Sequence, residues 1–152
     1  MTPGGLPGEA FTEFHRRVGA GGTAMTTIAY CGAEDAGRLG PHMMYMGEHL
    51  REPLQRALEL IRATGARVCG QLCHAGGFTK NRPAGGARAL GPSFGLNTLG
   101  IAAGMPFRTA MTVVQIRERV AAMGRAAAFM KSVGFDAIEI HFGHGYGLSQ
   151  FI

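Results

Sequence analysis

Three ring side chains, His141, His144 and Tyr146, fall close together near the end of the chain, on the run Glu139-Ile140-His141-Phe142-Gly143-His144-Gly145-Tyr146. Two imidazoles that donate hydrogen bonds suit the polarisation of a carbonyl, and a phenol beside them can give a proton to a neighbouring carbon. In a strand over Ala137 to His141, Ile138 and Ile140 point one way and Glu139 and His141 the other. Gly143 and Gly145 then let the backbone turn sharply, so that the three rings can converge. The competing reading of the same residues is a strand end in which His141 is a satisfied core histidine and Tyr146 packs as an aromatic.

Upstream segments must position that turn. Phe11, Phe14 and Val18 predict a helix over about Pro7 to Val18, and Thr23 to Cys31 predicts a strand buried on both sides. A loop runs from Gly32 to about Tyr45. Leu50, Leu54, Leu58 and Ile61 predict a helix over Glu48 to Thr64, stopped by Gly65, and Arg67 to His74 reads as the next strand. On it Cys69, Gln71 and Cys73 share one face, and Val68, Leu72 and His74 the other. Gly76 to Ala110 shows no sustained period and reads as a long loop, either a binding segment or an excursion without chemistry. Thr112 and Gln115 form a capping-box pattern at the start of a helix whose expected buried stripe is Ile116, Val120, Met123, Ala127 and Met130. Helix, glycine, strand therefore recurs near Gly22, Gly65 and Gly134. Parallel strands need such crossovers, so the fold class is α/β, either an open doubly wound sheet or part of a (β/α)8 barrel.

Composition narrows the function classes. The 152 residues are 46% hydrophobic and 16% charged, with 25 glycines, which suits one globular unit rich in turns. A net charge of +5 is spread along the chain without a dense basic run, which argues against nucleic acid and favours small anionic ligands. Cys31, Cys69 and Cys73 make neither an even disulfide framework nor a C-x-x-C motif, so free thiols in a reducing compartment are expected. No basic-then-apolar leader and no membrane-spanning run stand out, and the expected setting is soluble and cytoplasmic.

These residues resemble the Old Yellow Enzyme family of flavin-dependent ene-reductases, in the branch with bacterial 2,4-dienoyl-CoA reductases. The matching blocks are Ala29-Tyr30-Cys31 with Gly37-Arg38, Gln71-Leu72-Cys73-His74-Ala75-Gly76 with Phe78-Thr79-Lys80-Asn81, Leu90-Gly91-Pro92-Ser93, Met111-Thr112, and Gly134 through Tyr146 to Gln150-Phe151. The resemblance implies a (β/α)8 TIM barrel of which residues 1–152 supply about strands 2 to 4 with their helices, without the first strand and the C-terminal half. It implies FMN as cofactor, NAD(P)H as reductant and a small unsaturated carbonyl compound as substrate, and it is compatible with a homo-oligomer. Gln71 would meet the flavin's pyrimidine edge, and the Tyr30 backbone would lie beside the flavin. His141 and His144 would hold the substrate's carbonyl oxygen, and Tyr146 would be the proton donor. Two positions depart from the family pattern: Gly77 stands where many relatives have arginine, and Tyr30 is bulkier than the usual small residue. A non-catalytic fragment that needs another chain is the alternative. A zinc reading with His141, His144 and His74 as ligands leaves Gln71 and Tyr146 unexplained, so no metal is assigned.

Overall fold

A computed structural model describes residues 1–82 and 88–152. Three parallel strands form the main sheet in the order β1 (Met25–Gly32), β2 (Arg67–Cys73) and β6 (Ala137–Ile140). Helix α1 (Glu9–Ala20) precedes β1, α2 (Arg51–Arg62) connects β1 to β2, and α3 (Val113–Val133) leads into β6. All three helices pack on one face of the sheet. Ile28, Val68 and Leu72 meet Leu54, Leu58, Ile61 and Met130 there, each of them 2% exposed or less.

Local sequence explains these elements. The α2 stripe of Leu50, Leu54, Leu58 and Ile61 is buried throughout, as its spacing predicts. Thr112 caps α3 with a complete capping box: its hydroxyl accepts from Gln115 N, and the Gln115 side chain accepts from Thr112 N. Gly65 and Gly134 leave their helices with φ of +93° and +108°, a conformation that costs glycine little. Gly70 lets α3 approach β2, because a Cβ there would collide with Met130 Cε.

The structure departs from the sequence expectations in four places. The buried face of α1 carries Phe11, His15 and Gly19, while Phe14 is exposed, so the spacing is i, i+4, i+8. Strand β1 is covered on one side only: Thr26 and Ile28 are buried, whereas Met25, Thr27 and Ala29 are exposed on the face that no helix covers. Of the expected α3 stripe, Met130 is buried and Met123 and Ala127 pack partly against the core, but Val120 is 67% exposed, and the other buried residues are Ala122, Ala126, Phe129 and Val133. Apolar character along that helix is nearly uniform, so its periodicity did not single out the buried face.

The fourth departure is the long segment after β2. Residues 83–87 of it lie outside the described residues. Around them a small second sheet forms from β3 (Ala89–Gly91), β4 (Gly95–Leu96) and β5 (Phe107–Ala110), with β5 in the middle, parallel to β3 and antiparallel to β4. Fully buried Asn97 holds it, donating to Thr79 O over 2.7 Å and accepting from Gly100 N over 3.0 Å. Strands of two to four residues are too short to leave a readable period.

Candidate active site

The C-terminal ends of the three parallel strands deliver the candidate residues to one place. Gln71 lies in β2 opposite Glu139 in β6, and Gln71 Nε2 donates to Glu139 Oε1 over 2.5 Å. Beyond β6 the chain turns at Gly143–Gly147 and folds back against the end of β2. Gly147 N donates to His74 O over 2.7 Å. Within the turn His144 takes φ +60°, which is uncommon for a residue with a side chain and stores strain of about 1–3 kcal/mol. Gly145 follows with φ +69°, packed so closely that a Cβ would stand 2.9 Å from Phe78 Cε2.

This backbone brings the rings together. His141 Nε2 and His144 Nδ1 are 3.1 Å apart, sharing one hydrogen bond whose donor depends on the tautomers. The Tyr146 ring centroid lies 5.5 Å from that of His141 and 6.1 Å from that of His144. His141 is buried, Tyr146 half-buried and His144 exposed. Tyr30 joins them with its side chain, stacking on His141 at 5.9 Å and placing its hydroxyl 3.3 Å from that of Tyr146. Strand pairing explains its position. Ile28 pairs with Gly70 and Cys31 with Leu72, so β1 holds one extra residue there, and such a bulge re-aims side chains. Of the five residues singled out from sequence, His141, His144, Tyr146 and Tyr30 form one aromatic cluster. Gln71 contacts Glu139 instead of that cluster.

A supporting layer escaped the sequence reading. His74 is buried, accepts from Gly76 N at Nδ1 over 3.0 Å, and therefore carries its proton on Nε2, which donates to Glu34 Oε1 over 3.1 Å. Arg119 of α3 completes the group, with Nε 2.9 Å from the same oxygen as an ion pair whose angle is not that of a hydrogen bond. Burial opposes ionisation of Glu34, but the His74 hydrogen bond and the Arg119 charge outweigh it and hold the carboxyl below its usual range. Gln150 ties the loop after β2 to the turn, accepting from Gly77 N over 2.9 Å and donating to Gly145 O over 2.6 Å. Gln150 and His74 each stand in a matched block, which was their sequence signal; Glu34 and Arg119, far apart in sequence, gave none. Among the described residues no three His, Cys, Asp or Glu side chains form a group suited to a metal ion.

Fold and site together define a piece of a parallel β/α barrel with an aromatic and imidazole cluster at the C-terminal ends of its strands, the end where such barrels place their chemistry. The NADH:flavin oxidoreductase / NADH oxidase family profile matches residues 3–152, and the chain belongs to that family. It is 34% identical over 154 residues to 4,4'-dithiodibutanoate disulfide reductase of Rhodococcus erythropolis, spanning 100% of this chain and 36% of that one. It is 30% identical over 135 residues to NADPH dehydrogenase of Halalkalibacterium halodurans, spanning 88% of this chain and 37% of the relative. In structure it is similar to Old Yellow Enzyme from Pichia sp. AKU4542, with a TM-score of 0.84 and 21% identity over 97% of this chain and 40% of that one. Morphinone reductase in complex with tetrahydroNAD gives a TM-score of 0.77 at 19% identity, over 95% and 43% of the two chains. The partial barrel expected from the sequence is thus the fold observed. The family is one of oxidoreductases, and its flavin and nicotinamide are the cofactors the resemblance implied. No helix among the described residues is long and apolar enough to cross a membrane.

Proposed function

We propose that the chain is part of an FMN-dependent oxidoreductase of the ene-reductase type, acting on a small activated alkene such as an enone or enoyl thioester. The observation that carries this reading is the convergence of His141, His144 and Tyr146 on one turn at the open ends of the strands. The residues fit one edge of a flavin. Gln71 Nε2 is committed to Glu139, and Gln71 Oε1 has no partner among the described residues, so it is free to accept from a ring N–H. Bound FMN, reduced by NAD(P)H, would supply the hydride for the β-carbon of the alkene.

The chain's own residues do the rest. A substrate carbonyl oxygen accepting from both imidazoles would replace the hydrogen bond they now share, and it would be held where negative charge grows on it. Tyr146 Oη then releases its proton to the α-carbon, and water restores it. Cys31 and Cys73 take no part as nucleophiles, because burial pushes each thiol up to about 12. Three free, buried thiols agree with a reducing cytoplasm as the setting. The disulfide of 4,4'-dithiodibutanoate, the compound in one relative's name, is a second electron acceptor to try.

A second reading has its own observation. Strand β6 is an edge of the sheet, and beside it a groove of about 490 Å³ is lined by Ile116, Val120, Met123, Ile140, Phe142 and Leu148. An apolar face beside an open strand edge suits a further strand and helix, so completion of the site by another stretch of polypeptide is the alternative.

The test is the visible spectrum of the purified chain after mixing with FMN and desalting. A retained flavin band that NAD(P)H bleaches and an unsaturated ketone restores supports a working site, and Tyr146→Phe should then slow the restoration by roughly 10²–10⁴-fold. Loss of all flavin, with retention once the other barrel strands of a relative are supplied as a separate chain, supports the second reading. Flavin absent from both preparations would sink the flavin assignment.

A further inference from the structure

Resemblance gives Tyr30 only a backbone role, yet its side chain sits inside the cluster. Its ring is nearly parallel to that of His141, at 8°, and lies 5.7 Å from that of Tyr146. Among the described residues, Tyr30 is the only side chain within hydrogen-bond distance of the Tyr146 hydroxyl. The extra residue in β1 places it there, with the buried Ile28 before it and the buried Cys31 after it.

We propose that Tyr30 is a positioning residue for the proton carried by Tyr146, accepting from the Tyr146 hydroxyl at rest and donating to its oxygen once that proton has gone to the substrate. This rests on Tyr146 being the proton donor. In the step itself the O–H bond of Tyr146 breaks, a C–H bond forms at the α-carbon, and Tyr146 is left as a phenolate. Tyr30 keeps its own proton and turns it toward that oxygen, and water then reprotonates Tyr146. A phenol is suited to this because it can both accept and donate through one oxygen. Hydrogen bonds to ionised oxygen are also stronger than those between neutral groups.

The surroundings keep Tyr30 a donor. Burial, first, and then the hydrogen bond and charge of Tyr146 and the charge of Cys73, push the Tyr30 phenol well above its ordinary range. The titratable groups facing it are Tyr146 and His141 on the turn and Cys73 on β2, with His144 beside Tyr146. No carboxylate is hydrogen-bonded to either phenol among the described residues, so the two oxygens depend on each other.

A fluorinated tyrosine that ionises near neutral pH, incorporated at position 146 of the full chain, lets the phenolate be read by 19F resonance without flavin or substrate. Replacing Tyr30→Phe should raise the midpoint of that titration by about one pH unit, a tenfold change, because the phenolate loses its donor. An unchanged or lowered midpoint overturns the proposal, since a purely packing role is preserved by phenylalanine. If Tyr30→Phe does not fold, the reciprocal experiment decides: with the fluorinated residue at position 30, Tyr146→Phe should likewise raise its midpoint, because that phenolate loses its donor, and an unchanged or lowered midpoint overturns the pairing. Neither measurement depends on catalysis, so the ene-reductase reading can fail in the flavin experiment while the phenol pair stands, or the reverse.

Discussion

Gln71 and Glu139 face each other across the β2–β6 ladder, joined by a bond from Gln71 Nε2 to Glu139 Oε1. That bond sets the amide's orientation, turning the NH2 group to the carboxylate and leaving the oxygen outward. On the flavin reading the oxygen then meets the imide N–H of the pyrimidine edge. Gln71→Leu removes that bond and should weaken FMN binding about 10-fold, while Glu139→Leu, which only frees the amide to rotate, should weaken it by roughly 2–5-fold. Quenching of flavin fluorescence on titration measures both. If Gln71→Leu binds FMN as tightly as the unaltered chain, Gln71 does not hold the flavin.

The turn that carries the rings has no room for a side chain at position 145. Gly145 combines φ +69° with a would-be Cβ 2.9 Å from Phe78. Gly65 has φ +93° with nothing within 4 Å, so it carries the conformational requirement without the clash. Gly65→Ala should therefore cost about 1 kcal/mol and Gly145→Ala about 2–4 kcal/mol in chemical denaturation. Equal costs would mean that Phe78 yields freely and does not brace the turn.

Much of this arrangement was legible because it is local. The α2 stripe, the Thr112 cap, the helix-ending glycines and the Gly143–Tyr146 turn are each written in a few consecutive residues. What stayed hidden depends on residues far apart in the chain. Glu34, His74 and Arg119 meet only once β1, β2 and α3 are packed, and Gln150 reaches Gly77 only after the turn folds back. The side chain of Tyr30 was unreadable for a subtler reason: a strand bulge shifts the face on which a residue falls, and nothing in Ile28-Ala29-Tyr30-Cys31 announces one.

Helix α3 offers a direct check on which of its faces is buried. Met130 is fully buried between the sheet and α2, so Met130→Ala should destabilise the chain by about 2–5 kcal/mol. Val120 is 67% exposed and lines the apolar groove, so Val120→Ser should change stability by about 0.5 kcal/mol or less. Thermal or urea unfolding of the two variants compares them. A large loss from Val120→Ser in the isolated chain would show that the groove is already covered, most simply by self-association, which light scattering would detect.

Acid should destabilise the α1–β1 contact through His15. This imidazole is 5% exposed, its Nδ1 lies 2.8 Å from the buried Thr26 Oγ1, and the rings of Phe11 and Phe14 meet it edge-on. Burial disfavours the charged ring and pushes its pKa below the ordinary histidine value of 6.5. The unfolded chain therefore binds a proton more readily than the folded one, and the slope of unfolding free energy against pH is positive in that window. Stability is whole above about pH 6.5 and falls as pH drops through the lowered folded-state value. His49 is shifted in the same direction, by burial and the charge of Arg38, so the whole acid slope does not belong to His15. The difference between the unaltered chain and His15→Gln isolates it. Glutamine cannot take up the proton, so urea midpoints measured between pH 7.5 and about 5 should fall less steeply in the variant. Parallel slopes in the two proteins would show that His15 already titrates in the folded state as it does in the unfolded chain, and that the α1–β1 contact admits the charge.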